Sequence, residues 1–385
     1  MRVAFASVSA PGERSYWSGT PYFMERHLRQ VFPDFVNIAP LQLLSQIFKE
    51  KHTLYTKALK ENYLWELEPV LHRSLSAEVE RRLRASGKVD IIISPGCFPY
   101  PNVFLDTEIP VVFWADATFA GLHQVHPGYR NLCTENVWGG EKLQKRMLAG
   151  AFLALFASHW AQGSAIHHYG VSPDRCSVVP FGANLHFTIE SENQLEPVLK
   201  ERSTDECRLL FVARQWQEKG GDLAVAVLNA VRAAGLKCKL IVLGCEQPSD
   251  LELPVGETIE FLPAIFKDGG DSEKKYAELL ASTHFLLHPS RGDCFGIVMC
   301  EANAWAVPVL ARDTGGAGTV VVDGKNGYRF APEAGVEEYA GKIVELYRDR
   351  SAYLELCRSS WLQFKSRLNW SSATQHIARL LTEIG

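Results

Sequence analysis

Short apolar runs separated by helix-length segments recur along almost the whole chain, and this spacing limits the available folds more than any other feature. The first half carries RVAFASVS (2–9), DFVNIA (34–39), VDIIISPG (89–96), IPVVFWAD (109–116), FLALFAS (152–158) and CSVVP (176–180). Apolar runs of this length bounded by turn residues read as strands. Because helix-length segments lie between most of them, the connections are crossovers and the sheet is expected to be parallel. A polar, highly charged stretch, TIESENQLEPVLKERSTDE (188–206), then interrupts the pattern and reads as an interdomain linker. The pattern restarts with RLLFVA (208–213), CKLIVLG (238–244), TIEFLP (258–263), HFLLHPS (284–290) and VPVLA (307–311). A chain of 385 residues exceeds one typical core and suits two domains. The expectation is an α/β protein of two Rossmann-like doubly wound domains facing a cleft, residues 1–187 and 207–365 joined by 188–206. The closing segment NWSSATQHIARLLTEIG has capping serines followed by helical apolar spacing, so a final helix is placed within 366–385, returning to the first domain.

Several function classes recede on composition and on missing motifs. A net charge of −4 and a pI near 6.3 argue against a general nucleic-acid binder. No apolar run approaches the length of a membrane span, and RVAFASVSA is shorter than a usual signal sequence, so it reads as the first strand. The nine cysteines contain no CxxC pair and fit reduced, mostly buried thiols in a cytoplasmic protein. Neither leading strand is followed by GxGxxG, and no GxxxxGK[ST] or GxSxG occurs, which weakens dehydrogenase, P-loop and serine-hydrolase readings. Residues 45–60, SQIFKEKHTLYTKALK, mix Lys with Ile, Phe, Leu and Tyr. They suit a weak membrane-surface contact or, more commonly for such a composition, a solvated amphipathic helix.

Chemistry concentrates in HPSRGDCFGIVMCEANAWAVPVLARDTGG (288–316), where Asp293 and Glu301 stand in an otherwise apolar setting. The local order is strand, turn, helix, strand. In a βαβ unit the helix N-terminus faces the crevice outside the strand ends, where open α/β sheets bind ligands. An Asp before a helix is often only an N-cap and a mid-helix Glu is usually solvated, so neither acid alone marks a site. FVARQWQEKGG places Arg214 and Lys219 in a loop before a helix, either as an anion site suited to a diphosphate or as two solvated charges. In ERSYWSGTPYF, Gly19 permits a tight turn, Thr20 is a plausible N-cap and Pro21 fits the first helical position. WADATFAGLHQVHPGY puts Asp116 and Thr118 at the end of a strand, with His123 and His126 nearby but too few further ligands for zinc.

These segments together resemble family-4 retaining glycosyltransferases of the GT-B fold, whose signature is an acidic residue, seven residues, then Glu. The likeness covers 288–316, the Arg214–Lys219 loop, the Gly19 turn, YGVSPDRCSVVPFGAN (169–184) and the final helix. It implies transfer of a hexose-type sugar from a UDP-, GDP- or ADP-sugar to the hydroxyl of a sugar, lipid-linked or small-molecule acceptor chosen by the first domain. No cofactor is implied beyond the donor itself. By the resemblance, Arg214 and Lys219 hold the donor diphosphate and Glu301 hydrogen-bonds the ribose. Asp293 and the backbone at Cys294, Phe295 and Gly296 contact the sugar. Gly315 and Gly316 bring amides near the phosphates, and Gly19 lets the first domain approach them. No DxD metal motif is present, so a metal-independent reaction is expected. Three positions depart from the pattern: Asp293 replaces the usual Glu, Thr319 stands where an acid often follows the Gly pair, and Asp116 falls where many relatives have His. A nucleotide-sugar epimerase of the same fold and a non-catalytic sugar-nucleotide-binding protein remain as alternatives.

Overall fold

The computed structural model describes residues 1–42, 48–249, 258–267 and 269–384. Contacts divide the chain into two units, Met1–Pro180 together with Thr374–Gly385, and Phe181–Ala373. Each unit is built on a six-stranded parallel sheet flanked by helices, so the two Rossmann-like domains are present.

The first sheet runs β1 (Val3–Ala6), β2 (Phe35–Ile38), β3 (Ile91–Pro95), β4 (Val111–Ala115), β5 (Leu153–Phe156) and β6 (Cys176–Val178). Its spatial order is β2-β1-β3-β4-β5-β6, with Val3 paired to both Phe35 and Ile91. Strands β1, β3, β4 and β5 are buried along their whole length, because helices cover both faces and leave no solvent side for alternation. The order reverses between β1 and β3, which locates this sheet's crevice at their C-terminal ends.

Gly19 (φ 83°, ψ 4°) is left-handed and immediately precedes the helix Thr20–Val31. Gly19 itself is thus the N-cap, with Thr20 first in the helix and Pro21 second. Trp17 and Ser18 are left-handed too, a conformation that costs roughly 1–2 kcal/mol per residue outside glycine. Thr118, read in the sequence as lying at the end of a strand, is a buried N-cap: its Oγ1 accepts from Gly121 N at 3.1 Å. Of the stretch 45–60, residues 45–47 lie outside the described residues; from Lys49 to Leu59 the chain is helical, with Leu54 and Leu59 exposed. Among the described residues no helix is long and apolar enough to cross a membrane.

The second sheet comprises β7 (Cys207–Val212), β8 (Cys238–Leu243), β9 (Ile259–Leu262), β10 (Phe285–His288), β11 (Val309–Arg312) and β12 (Gly327–Phe330), in the order β12-β11-β10-β7-β8-β9. Strand β12 has no counterpart in the sequence reading; it is a half-buried edge strand whose GYRF lacks an apolar run. The reversal here lies between β7 and β10, with β11 and β12 beyond β10.

Residues 188–206, expected as a linker, lie inside the second unit. Glu192–Glu201 form a helix whose Leu195 and Leu199, one turn apart, are buried while the charged residues face out. Arg202 follows and is only 2% exposed. Its guanidinium donates to the carbonyls of Ala281 (3.1 Å), Ala306 (3.0 Å) and Trp305 (2.8 Å) and to the Tyr353 hydroxyl (3.1 Å). Trp305 caps the C-terminal end of the helix Ile297–Ala304, so a buried cation sits where that helix presents its carbonyls. The last helix, Trp370–Ile384, starts in the second unit, and its residues from Thr374 group with the first.

Candidate active site

The connection leaving β7 is shaped by two glycines. A four-residue helix, Trp216–Lys219, fills what reads in sequence as loop, and Gly220 (φ 77°, ψ 38°) turns the chain into the helix Gly221–Ala233. A Cβ on Gly220 would overlap the Pro289 carbonyl, so only glycine lets this connection close on the one that follows β10. Arg291 fastens the two together: its N–H donates to the Glu218 carbonyl at 2.9 Å, and its guanidinium reaches Asp222 at 2.6 Å and the Gln217 carbonyl. Lys219 is thereby set over Asp293, a residue 74 positions away.

Asp293 does not cap the helix that follows it; Gly296 (φ 81°, ψ 60°) occupies that position. The Asp293 carboxylate instead gathers two donors on Oδ2, Lys219 Nζ at 2.8 Å and His288 Nε2 at 3.1 Å. Lys219 also donates to the Gly292 carbonyl at 3.1 Å. Burial pushes the acid's pKa up, but the Lys219 charge and the His288 hydrogen bond outweigh it and hold Asp293 well below the usual carboxylate range. The site therefore offers an acceptor that stays ionised near neutral pH, about one-fifth exposed, at the topological switch between β7 and β10. A proton donor would need the opposite shift. Arg214 lies in the same connection, exposed, and among the described residues makes no hydrogen bond or ion pair.

Gly315 (φ 54°) and Gly316 permit another close approach of two backbones. A Cβ on Gly315 would overlap the Asp293 carbonyl, and one on Gly316 would lie 2.9 Å from Phe295 Cα. Gly316 N donates to the Asp293 carbonyl at 3.3 Å, so its amide is engaged within the protein. The side chains of Cys294 and Phe295 are buried, Phe295 packing edge-on against Phe181 at 5.4 Å, which leaves main chain as what this turn can present. Thr319 lies in the short helix Ala317–Val320 and is 9% exposed.

Glu301 is not the solvated mid-helix acid that base composition would suggest; it is 2% exposed. Its Oε2 accepts from the Tyr276 hydroxyl at 3.0 Å and its Oε1 pairs with Lys267 Nζ. Tyr276 is pushed well above the ordinary phenol range, by burial first and then by the Glu301 charge. Asp293 and Glu301 thus share one short strand-turn-helix segment, each held by a lysine from a different connection. His288, Lys267 and Tyr276 were not assigned from sequence. His288 was visible as a polar residue closing an apolar strand; Lys267, in an irregular connection, gave no signal.

In the first unit, Asp116 follows β4 and is half-buried. It acts on Cys97, at the end of neighbouring β3, whose thiol is pushed up to about 12, mainly by burial and in smaller part by Asp116 and Glu66. His123 is exposed and stacks on Phe119 at 6.3 Å, while His126 Nδ1 accepts from Gly128 N at 3.2 Å and shapes a turn. Among the described residues no group of three or more His, Cys, Asp or Glu is placed to hold a metal ion.

The chain is similar to several known proteins in sequence or fold. A D-inositol 3-phosphate glycosyltransferase of Acidothermus cellulolyticus is 26% identical over 239 residues, covering 58% of this chain and 51% of the relative. The gpi3 subunit of a phosphatidylinositol N-acetylglucosaminyltransferase of Schizosaccharomyces pombe is 21% identical over 243 residues, 61% of this chain and 50% of that one. The chain spans about half the length of the curated relatives it matches. Sucrose-phosphate synthase from Thermosynechococcus elongatus superposes with a TM-score of 0.70 at 15% identity, over 100% of this chain and 99% of that one. Anabaena Alr3699/HepE, solved with UDP and glucose, gives 0.60 at 16% identity over 100% of both chains. These likenesses identify the GT-B fold. The sequence model described as "Glycosyl transferases group 1" matches residues 206–349, so the unit that brings Lys219, Asp293 and Glu301 together carries the pattern of the group 1 glycosyl transferases.

Proposed function

We propose that the chain is a family-4 retaining glycosyltransferase that moves a hexose-type sugar from a nucleotide-sugar donor to an acceptor hydroxyl without a divalent metal. The observation that carries this reading is the meeting of Lys219 and Asp293 at the switch point of the second sheet, 2.8 Å apart, with Arg214 exposed in the same connection as Lys219. Breaking a sugar–phosphate bond builds negative charge on the leaving diphosphate and oxocarbenium character on the sugar. Arg214 and the one N–H of Lys219 that is bound neither to Asp293 nor to the Gly292 carbonyl stabilise the first. Asp293, held ionised, accepts hydrogen bonds from donor-sugar hydroxyls and orients the anomeric carbon. It is a poor general acid. Activation of the acceptor therefore falls to a donor phosphate oxygen that takes its proton on the same face, the route proposed for retaining relatives.

A donor of this kind agrees with one structural neighbour, Anabaena Alr3699/HepE, which was solved both with UDP and with UDP-glucose. The test is a panel of UDP-, GDP- and ADP-sugars in thermal-shift assays. A donor at about 100 times its dissociation constant should add about 2.7 kcal/mol of stability. Product analysis by NMR with the stabilising donor then separates the outcomes. Transfer with retained anomeric configuration supports the proposal; isomerisation without an acceptor identifies an epimerase; binding without turnover identifies a silent sugar-nucleotide binder.

A further inference from the structure

Glu301 is the more buried of the two acids, and neither of its partners belongs to the segment that carries it. Lys267 comes from the connection after β9 and Tyr276 from the helix Asp271–Ser282. The Glu301 side chain is 3% exposed and that of Lys267 22%, so what solvent contact the pair has runs mostly through the ammonium group. The connection carrying Lys267 is itself pinned: Gly269 N donates at 2.7 Å to Glu273 Oε2, and the buried Glu273 also holds His186 Nδ1 at 2.9 Å. Lys267 is thus placed on Glu301 by a braced piece of backbone.

A carboxylate offers about four lone-pair positions, and here one on each oxygen is filled, by Lys267 and by Tyr276. The remaining position on each oxygen suits two adjacent hydroxyl donors, a vicinal diol. Among the described residues Lys267 makes no hydrogen bond besides the one to Glu301, so two of its three N–H groups are open to a hydroxyl oxygen. We propose that Lys267 is a specificity-determining residue of the donor site, which with Glu301 clamps the 2′,3′-diol of the nucleotide ribose, the carboxylate accepting from both hydroxyls and the ammonium donating to one. This rests on the donor reading above and extends it to a residue outside the acidic signature.

The groups facing Glu301 are Lys267, Tyr276 and the neighbouring Cys300 thiol. Among the described residues the donors on adjoining elements are turned elsewhere: His288 of β10 to Asp293, Arg312 of β11 to the Pro332 carbonyl, and Arg367 of the helix Arg350–Arg367 to the carbonyls of Thr319 and Val320. Remove Lys267 and, among the described residues, Glu301 keeps only the Tyr276 hydroxyl as a partner, and the ammonium donor to the diol is gone.

The experiment compares binding of a nucleoside diphosphate with that of its 2′-deoxy form, at pH 8 and pH 6, by calorimetry on the full chain. UDP, GDP and ADP are tried first, and the tightest of the three is carried forward. Both ligands of a pair bear the same diphosphate, so its own titration near pH 6 cancels in their ratio. The wild type should prefer the ribose form by at least about tenfold at both pH values, as expected when a buried polar pair loses its partner. Lys267→Met should bring the preference to within about threefold at both pH values, while Lys267→Arg keeps it. Should Lys267→Met fail to fold, Lys267→Gln, which is shorter and uncharged, should show the same loss. A ratio unchanged by Lys267→Met or Lys267→Gln at both pH values overturns the role assigned to Lys267. A wild type that binds none of the three nucleotides overturns the donor reading beneath it.

Discussion

Replacing Lys219 by Ala separates the charge-stabilising role of this lysine from its structural one. The Lys219–Asp293 pair is neither exposed nor fully buried, with side chains 24% and 21% accessible and nitrogen and oxygen 2.8 Å apart. Exposed pairs contribute about 0–1 kcal/mol and breaking a fully buried one costs about 3–5 kcal/mol; since His288 remains on Asp293, a loss of about 1–2 kcal/mol is expected. The sign of its pH dependence follows from Asp293, whose folded pKa is depressed. The contribution is fully present above the unfolded value of about 4 and disappears as pH falls through the folded one. Wild type and Lys219→Ala should therefore differ by a constant amount above about pH 5 in urea melts and converge in acid. Catalysis should suffer more than stability. Attraction to a leaving diphosphate grows as the bond breaks, so the turnover number should fall about 100- to 1,000-fold at saturating donor. Were Lys219 only a holder of Asp293, the substitution would add nothing in an Asp293→Asn background; contact with the diphosphate predicts a further loss of about tenfold or more. A loss below about threefold in both Lys219→Ala and Arg214→Ala, at temperatures where each is fully folded, would refute the diphosphate assignment.

Glu301→Gln should weaken binding of the free nucleoside diphosphate as well as of the donor, because its proposed contact is to the ribose; calorimetry with unchanged affinity would remove that contact. Transfer should continue in EDTA at an undiminished rate, since the contacts proposed for the diphosphate are protein cations, and loss of activity restored by magnesium or manganese would count against the metal-independent route. Arg202→Met should cost about 3 kcal/mol or more in urea melts, by leaving buried carbonyls at Ala281, Trp305 and Ala306 without their donor. A change under about 1 kcal/mol would show that these carbonyls find other partners.

The sheets were legible because strands β3, β4, β7, β8 and β10 are covered on both faces, so their apolar runs stand out whatever the neighbours. Strand β12 escaped for the converse reason: at the edge of the sheet it needs no apolar run, and its pairing with β11 is a main-chain matter. The misreading at 188–206 has a similar origin. Average polarity across TIESENQLEPVLKERSTDE hides the one-turn spacing of Leu195 and Leu199, and a guanidinium counts as a surface group until three carbonyls converge on it. In the site, two acids in an apolar segment were conspicuous by chemistry alone. Their partners were not, since Lys219 reaches Asp293 only through the closure that Gly220 permits, and Lys267 reaches Glu301 from a connection whose sequence has no period.

That pairing divides labour among the three cations. Lys219 and Lys267 are each neutralised at short range by a carboxylate, so at a distance they present a diphosphate with little net field. Arg214, exposed and without an ion pair among the described residues, is the cation an approaching anion meets first. Its planar fork can take two phosphate oxygens at once, whereas a lysine offers a point charge. Capture of the donor should then depend chiefly on Arg214 and be sensitive to salt. In the proposed reaction Lys219 acts later and at closer range, where a growing charge on the leaving oxygen competes with Asp293 for the same ammonium group. The carboxylate that restrains Lys219 in the resting site is also the group proposed to hold the donor sugar, so binding the sugar and freeing the lysine toward the phosphate become one event. Such coupling strengthens the contact as the bond breaks more than it strengthens the ground state, which is what raising the turnover rate requires.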